Sequence, residues 1–257
     1  MHERSDLKVR ADLEPTQACP AWLREVPLAH RGLHEGSSVP ENSLAAFAAA
    51  AAAGYGVELD VMLSRDRVPV VSHDATLERA AGRSERVSDL TVAQLAAVTL
   101  GDSGEHLPTL AAALGELSQV PVMVELKQPK LRAGDLERAV ATLLDVHTGP
   151  WCVASFNPAS VRWFRANRPE VVRVLTAGGL DGARLPAVLK RRLTELRDLP
   201  SVAPHAVSYD LTGLPNPACS AWRSRGGVLV TWTVTDEAGL TTAREMADNI
   251  IFEHVRP

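Results

Sequence analysis

Three cysteines, Cys19, Cys152 and Cys219, are all that the 257-residue chain contains. They are far apart, odd in number and without metal-ligand spacing, which argues against a disulfide framework or a zinc cluster and fits a reducing cytoplasm. An excess of positive charge is also missing, since 27 Lys and Arg stand against 31 Asp and Glu, a net charge of -4. That balance gives no global attraction to polyanions, so nucleic acid is not expected as a partner and any phosphate-binding charge must be local. Long apolar runs are absent too. The stretch 44–53 is mostly alanine and ten residues long, about half of what a membrane-spanning helix needs. The polar first residues lack the apolar core of a signal peptide. Stable membrane insertion and export by that route are therefore not expected.

Hydrophobic residues at 46% and charged residues at 23% supply one extended core in an ordinary globular protein. Residues 1–24 form a polar lead-in, read as an arm or cap. After it, short apolar runs alternate with helix-like stretches, the pattern of a mostly parallel sheet built from strand-helix units. The runs predict strands at 26–30, 57–61, 69–73, 120–126, 152–155, 171–176, 206–209, 228–234 and 250–253. Between the second and third only 62–68 intervenes, too short for a parallel crossover, so these two form a hairpin. Helices are predicted at 41–53, 134–146, 158–167, 185–196, 216–225 and 236–247, where apolar residues recur every three or four positions. Eight parallel strands with helical crossovers close into a right-handed α/β barrel of the (β/α)8 type over 25–257. The segment 76–108, with a short helix at 91–98, reads as a small insertion over its mouth.

In such barrels the working residues sit at strand C-termini. The first strand ends in His30-Arg31-Gly32, the second carries Glu58 and Asp60, the hairpin ends in His73-Asp74, and the fourth carries Glu125 and Lys127. Alternate strand residues face one way, so Glu58 and Asp60 share a side, about 7 Å apart, and Glu125 lies beside Lys127 by the same parity. Three acids gathered together are costly unless a cation joins them. Oxygen ligands suggest one hard divalent ion, magnesium or calcium, rather than zinc. Taken separately, each motif has a plainer reading, since acids at strand ends are often solvated or salt-bridged and a histidine can simply bond a carbonyl.

Jointly and in order, His30-Arg31-Gly32, Pro40-Glu41-Asn42-Ser43, Glu58-Leu59-Asp60-Val61, Ser72-His73-Asp74, Val124-Glu125-Leu126-Lys127, Ser155-Phe156 and Trp232-Thr233-Val234 resemble the glycerophosphodiester phosphodiesterase family, of the PLC-like phosphodiesterase superfamily. The resemblance implies a TIM barrel that hydrolyses glycerophosphodiesters, small molecules, to glycerol 3-phosphate and an alcohol. It implies His30 and His73 as the acid-base pair, Glu58, Asp60 and Glu125 as metal ligands, and Arg31 and Lys127 as phosphate-binding groups. Glu41 and Asn42 would support the metal shell, although they equally read as a helix start after Pro40. Phe156 and Trp232 would wall the glycerol end, although an aromatic on a barrel strand is commonly core.

Two departures stand out. The hairpin has Asp66-Arg67 where the family has aspartate-glycine, which is expected to touch only a turn. The last strand ends Ile251-Phe252-Glu253-His254 instead of threonine-aspartate, which is expected to alter pocket shape rather than the acid-base machinery. Two rivals are a lysophospholipase D or sphingomyelinase D-like enzyme and a barrel that binds phosphorylated ligands without turnover.

Overall fold

The computed structural model describes residues 18–127, 133–178 and 186–257. Its strands are β1 (Leu28–His30), β2 (Gly56–Leu63), β3 (Pro69–Val71), β4 (Val122–Leu126), β5 (Trp151–Ser155), β6 (Arg173–Ala177), β7 (Ala206–Asp210), β8 (Val228–Val234) and β9 (Asn249–Phe252). All but β3 run parallel, in the order β1-β9-β8-β7-β6-β5-β4-β2, and pairing of β1 with β2 closes the eight-stranded barrel. β3 returns antiparallel on Val61–Leu63 of β2, beyond the stretch that pairs with β1, so the expected hairpin is present.

The helices are α1 (Trp22–Glu25), α2 (Leu44–Ala52), α3 (Glu78–Ala81), α4 (Val92–Leu95), α5 (Leu110–Glu116), α6 (Asp135–Leu144), α7 (Pro158–Asn167), α8 (Ala187–Thr194), α9 (Leu199–Val202), α10 (Pro217–Ser224) and α11 (Glu237–Met246). The expected helix at 41–53 begins later, at Leu44. Asn42 is held at φ 58°, outside the helical region, and Ser43 is the N-cap, its hydroxyl accepting from Ala46 N at 3.1 Å. The helix expected at 91–98 is one turn, opened by a Thr91-Gln94 capping box. Helix α5 was not anticipated, although Thr109 caps it. Residue 185 of the expected helix at 185–196, residues 1–17 of the expected arm, and residues 128–132 and 179–184 lie outside the described residues.

Period-two alternation separates two apolar layers. Ala29, Val57, Leu59, Val61, Val122 and Val124 face outward against Phe47, Leu110 and Val140 of the helices. Inside, Leu28, Met123, Cys152, Val174, Ala206, Val228 and Ile251 fill the floor of the barrel. Within the stretch expected as an arm or cap, α1 closes that floor: Leu23, fully buried, joins the inner cluster, and Asn249 Nδ2 donates to Leu23 O and Val26 O at 3.1 and 2.7 Å. Burying such a leucine stabilises by about 2 kcal/mol. The segment 76–108 has an apolar cluster of its own, with Val70, Leu77, Val87, Leu95, Val98, Leu100 and Leu107, and it docks on the hairpin through Arg65 N to Leu90 O at 2.8 Å.

Candidate active site at the barrel mouth

Above the apolar floor the inward positions turn polar. Glu58 stands in register with His30 and with Met123, and Asp60 with Glu125, so strand parity alone brings the three carboxylates to one side. They are 3%, 1% and 8% exposed, and one oxygen from each lies within 4.8 Å of the others. The expected convergence of acids is thus present.

Local structure explains how His30 and Arg31 reach them. After β1 the chain turns through Arg31 at φ 57° and Gly32 at φ 84°, and Arg31 N donates to Glu58 O at 2.8 Å. Gly32 lies so close to α2 that an added Cβ would come within 2.8 Å of the Ala46 backbone, which is why no larger residue fits. Arg31 Nε is 3.2 Å from Asp60 Oδ2 and its Nη1 donates to Glu41 Oε1 at 2.9 Å. Asn42 Nδ2 donates to Asp60 Oδ2 at 3.0 Å. Asn42 therefore supports the acidic cluster directly, whereas Glu41 acts on it only through Arg31. Lys127 Nζ lies 2.9 Å from Asp60 Oδ1 and 2.6 Å from Glu125 Oε1.

The electrostatics follow from this geometry. Burial opposes ionisation of Asp60, but Lys127 and Arg31 beside it more than compensate and hold its carboxyl well below the usual range. Glu58 has the opposite fate. Burial, then repulsion from Asp60 and Glu125, raises its carboxyl well above 4.5, and its buried Oε2 has no hydrogen-bond partner. Three carboxylates against two cations leave one negative charge unmatched, and Glu58 is where the mismatch falls. An orphaned buried carboxylate oxygen in an all-oxygen donor set fits a divalent cation, so the cluster can hold a metal. A dication would turn the balance to one positive charge.

The two imidazoles flank the cluster. His30 Nε2 is 3.9 Å from Glu58 Oε2, and its Nδ1 is 2.7 Å from Glu253 Oε2. His73, two residues past β3, donates from Nδ1 to Asp74 Oδ1 at 2.8 Å, since an ionised carboxylate can only accept. Burial lowers the imidazole of His73 below its ordinary value, with Asp60 opposing that shift. Phe156 and Trp232 meet edge to face with ring centroids 5.5 Å apart, and Lys127 Nζ lies 6.0 Å from the Phe156 ring. Both rings are partly exposed, and Trp232 also packs against the inner apolar cluster.

Two expectations are corrected. The altered end of β9 reaches the histidines, because Glu253 touches His30 as well as His34 and His254, at 3.4 and 3.1 Å. The hydrogen bonds from His30 and then His34 hold the Glu253 carboxyl far below its ordinary value. The departure at Arg67 also reaches past its turn, since Arg67 Nη2 lies 2.7 Å from Asp135 Oδ1 at the start of α6, while Asp66 Oδ1 accepts from Val92 N at 2.9 Å at the start of α4. Arg67 takes the left-handed conformation that glycine favours, at φ 66°. Sequence reading missed Glu253 as a partner of His30; its only local signal was an acid at a strand C-terminus. A recess of about 170 Å3 is lined by Glu253 with Gly32, Leu33, His34 and Val255 among others, but by none of the three clustered acids.

Known proteins resemble this chain in sequence and in fold. A glycerophosphodiester phosphodiesterase of Caldanaerobacter subterraneus is 38% identical over 95 residues, 34% of this chain and 38% of that protein. Glycerophosphodiester phosphodiesterase 1 of Mus musculus is 32% identical over 167 residues, 58% of this chain and 48% of that protein. The chain thus spans about half or less of the length of these relatives. Among solved structures, an Oleispira antarctica phosphodiesterase in complex with the product sn-glycerol-3-phosphate superposes with a TM-score of 0.75 at 25% identity, over 89% of this chain and 93% of that one. The profile of the Glycerophosphoryl diester phosphodiesterase family matches residues 30–255, a span that starts at His30 and takes in Glu58, Asp60, Glu125 and Glu253, and the chain therefore belongs to that family.

Proposed function

We propose that the chain hydrolyses glycerophosphodiesters to glycerol 3-phosphate and an alcohol, using one divalent cation, magnesium or calcium, held by Glu58, Asp60 and Glu125. The observation that carries this reading is the buried acidic cluster, one carboxylate oxygen unpartnered, with an imidazole beside it. The product named in the Oleispira antarctica complex supports the substrate class.

When bound, the cation supplies positive charge to the phosphoryl oxygens. Arg31 and Lys127 bind the same group, and Asn42 and Glu41 hold Asp60 and Arg31 in place. One of His30 and His73 takes the proton of the attacking hydroxyl, and the other gives a proton to the departing alkoxide as its bond to phosphorus breaks. The attacking hydroxyl is either the glycerol's own, which forms a cyclic phosphate that water then opens, or water directly. Both routes use the same pair, and a transient cyclic phosphate in 31P NMR distinguishes them. Phe156 and Trp232 wall the glycerol end. We place the reaction in the cytoplasm, where free Cys19, Cys152 and Cys219 stay reduced. Among the described residues no helix is long and apolar enough to cross a membrane.

The test compares ester release from glycerophosphocholine, lysophosphatidylcholine and bis(p-nitrophenyl) phosphate, with and without chelator. Chelator-sensitive release from the first is expected. Release from lysophosphatidylcholine alone would move the assignment to a lysophospholipase D-like enzyme, and no release from any would leave a ligand-binding barrel. Intact hydrolysis in His30→Ala and His73→Ala would remove the acid-base assignment.

A further inference from the structure

The insertion sends one side chain back to the mouth. Arg79, on the one-turn helix α3, uses its whole guanidinium. Nε donates to Asp74 Oδ2 at 2.6 Å, Nη1 to Glu41 Oε2 at 2.7 Å, and Nη2 to Glu41 Oε1 at 2.8 Å. Each carboxylate is also bound to a residue of the proposed machinery, Asp74 to His73 Nδ1 and Glu41 to Arg31 Nη1. One planar cation therefore joins the loop after β1 to the loop after β3, in a line that runs His73, Asp74, Arg79, Glu41, Arg31, Asp60. We propose that Arg79 is a positioning residue that fixes His73 and Arg31 relative to one another. The proposal rests on the hydrolytic reading above.

Two physical arguments separate this role from that of an ordinary surface ion pair. First, the arginine's backbone is pre-set: Leu77, next but one, is fully buried in the insertion's own cluster, Leu77 N donates to Glu85 O at 3.0 Å, and Gly101 N to Ala80 O at 3.0 Å. Second, the Asp74 carboxylate is part-exposed and, with only His73 on it, would be free to rotate about its own bond. Binding its second oxygen fixes its plane, and so the direction in which His73 Nε2 points. Arg79 itself is half-exposed. An exposed pair of that kind adds little stability, so its loss should register in catalysis rather than in folding. Lysine cannot reproduce it, because its donors leave one nitrogen tetrahedrally, whereas the three contacts to Asp74 and Glu41 come from three nitrogens of one planar fork.

The experiment uses the full chain with Arg79→Ala, Arg79→Lys and, as control, Arg83→Ala, which removes the exposed Arg83–Glu85 pair in the same insertion. For glycerophosphocholine, Arg79→Ala should lose about tenfold to a hundredfold in kcat, the range for losing a partner one shell out. Arg79→Lys should recover little, Arg83→Ala should match the parent, and added methylguanidinium, but not ethylammonium, should restore part of the loss in Arg79→Ala. Independently of turnover, 15N NMR should show the Nδ1-protonated tautomer of His73 in the parent, a mixture in Arg79→Ala, and recovery of the first state with methylguanidinium. A parent-like kcat in Arg79→Ala, or a lost rate with the His73 tautomer unmoved, overturns the proposal. If the parent turns over no glycerophosphodiester, the functional reading fails, while the tautomer measurement still decides the role of Arg79.

Discussion

Glu253 accepts a hydrogen bond from His30 Nδ1 at 2.7 Å across 223 residues of sequence, and this contact decides which face of the imidazole meets the acidic cluster. With Nδ1 committed to a carboxylate, Nε2 is the nitrogen directed toward Glu58. The depressed carboxyl of Glu253 stays ionised, and so remains an acceptor for Nδ1, over the whole neutral range. Glu253→Gln can accept or donate and so permits either tautomer; Glu253→Asp keeps the charge but shortens the reach. Glutamine is expected to lower kcat about tenfold to a hundredfold and aspartate less, with KM little changed, because orientation rather than binding is lost. Steady-state kinetics on glycerophosphocholine checks this, and an unchanged kcat in the glutamine variant would show that His30 does not depend on Glu253.

Cation binding should release a proton. Glu58 is kept protonated to higher pH than a free glutamate by burial and by its acidic neighbours, and it must ionise to ligate. Apparent affinity for magnesium or calcium should therefore strengthen as pH rises through the titration of Glu58. The same raised carboxyl has a folding consequence of opposite sign: without a cation, stability is greater while Glu58 is protonated and falls as pH rises from the ordinary glutamate range to its raised folded value. Calorimetry in two buffers of different ionisation enthalpy measures the proton. Glu58→Gln should bind the ion weakly and release none.

Arg67 should be replaceable with profit to stability. A non-glycine residue at φ 66° is strained, and the exposed Arg67–Asp135 pair returns little. Arg67→Gly is expected to stabilise by about 0.5–1 kcal/mol, raising Tm by about 2 °C. Thermal unfolding followed by circular dichroism gives the answer, and a lower Tm would mean that the ion pair outweighs the strain.

Leu23 marks the opposite end of the barrel. Because it is fully buried against the floor, Leu23→Ala should cost about 2–4 kcal/mol in chemical denaturation while leaving kcat near the parent value. A kcat loss matching the stability loss would mean that floor and mouth are not independent.

What the sequence made legible was whatever repeats with a short period. The nine strands, the hairpin and the shared side of Glu58, Asp60 and Glu125 follow from alternation over two residues, which is local and strongly marked. Helix α5 was missed because its alanines carry little amphipathic contrast; its Thr109 cap was the available sign. The start of α2 was misplaced because a positive φ at Asn42 is set by its contact with Asp60, on another strand. Glu253 and Arg79 were invisible for the same reason on a larger scale. Each acts through a partner brought near only by barrel closure or by the folding-back of the insertion.

The alternation along β2 also works like a reading frame. Adding or deleting a single residue inside Gly56–Leu63 would rotate both carboxylates into the oily layer shared with Phe47 and Leu110, and would present valines to the solvent-facing bowl. A change of length is therefore intolerable within β2, where one slip would erase the acidic end of the barrel.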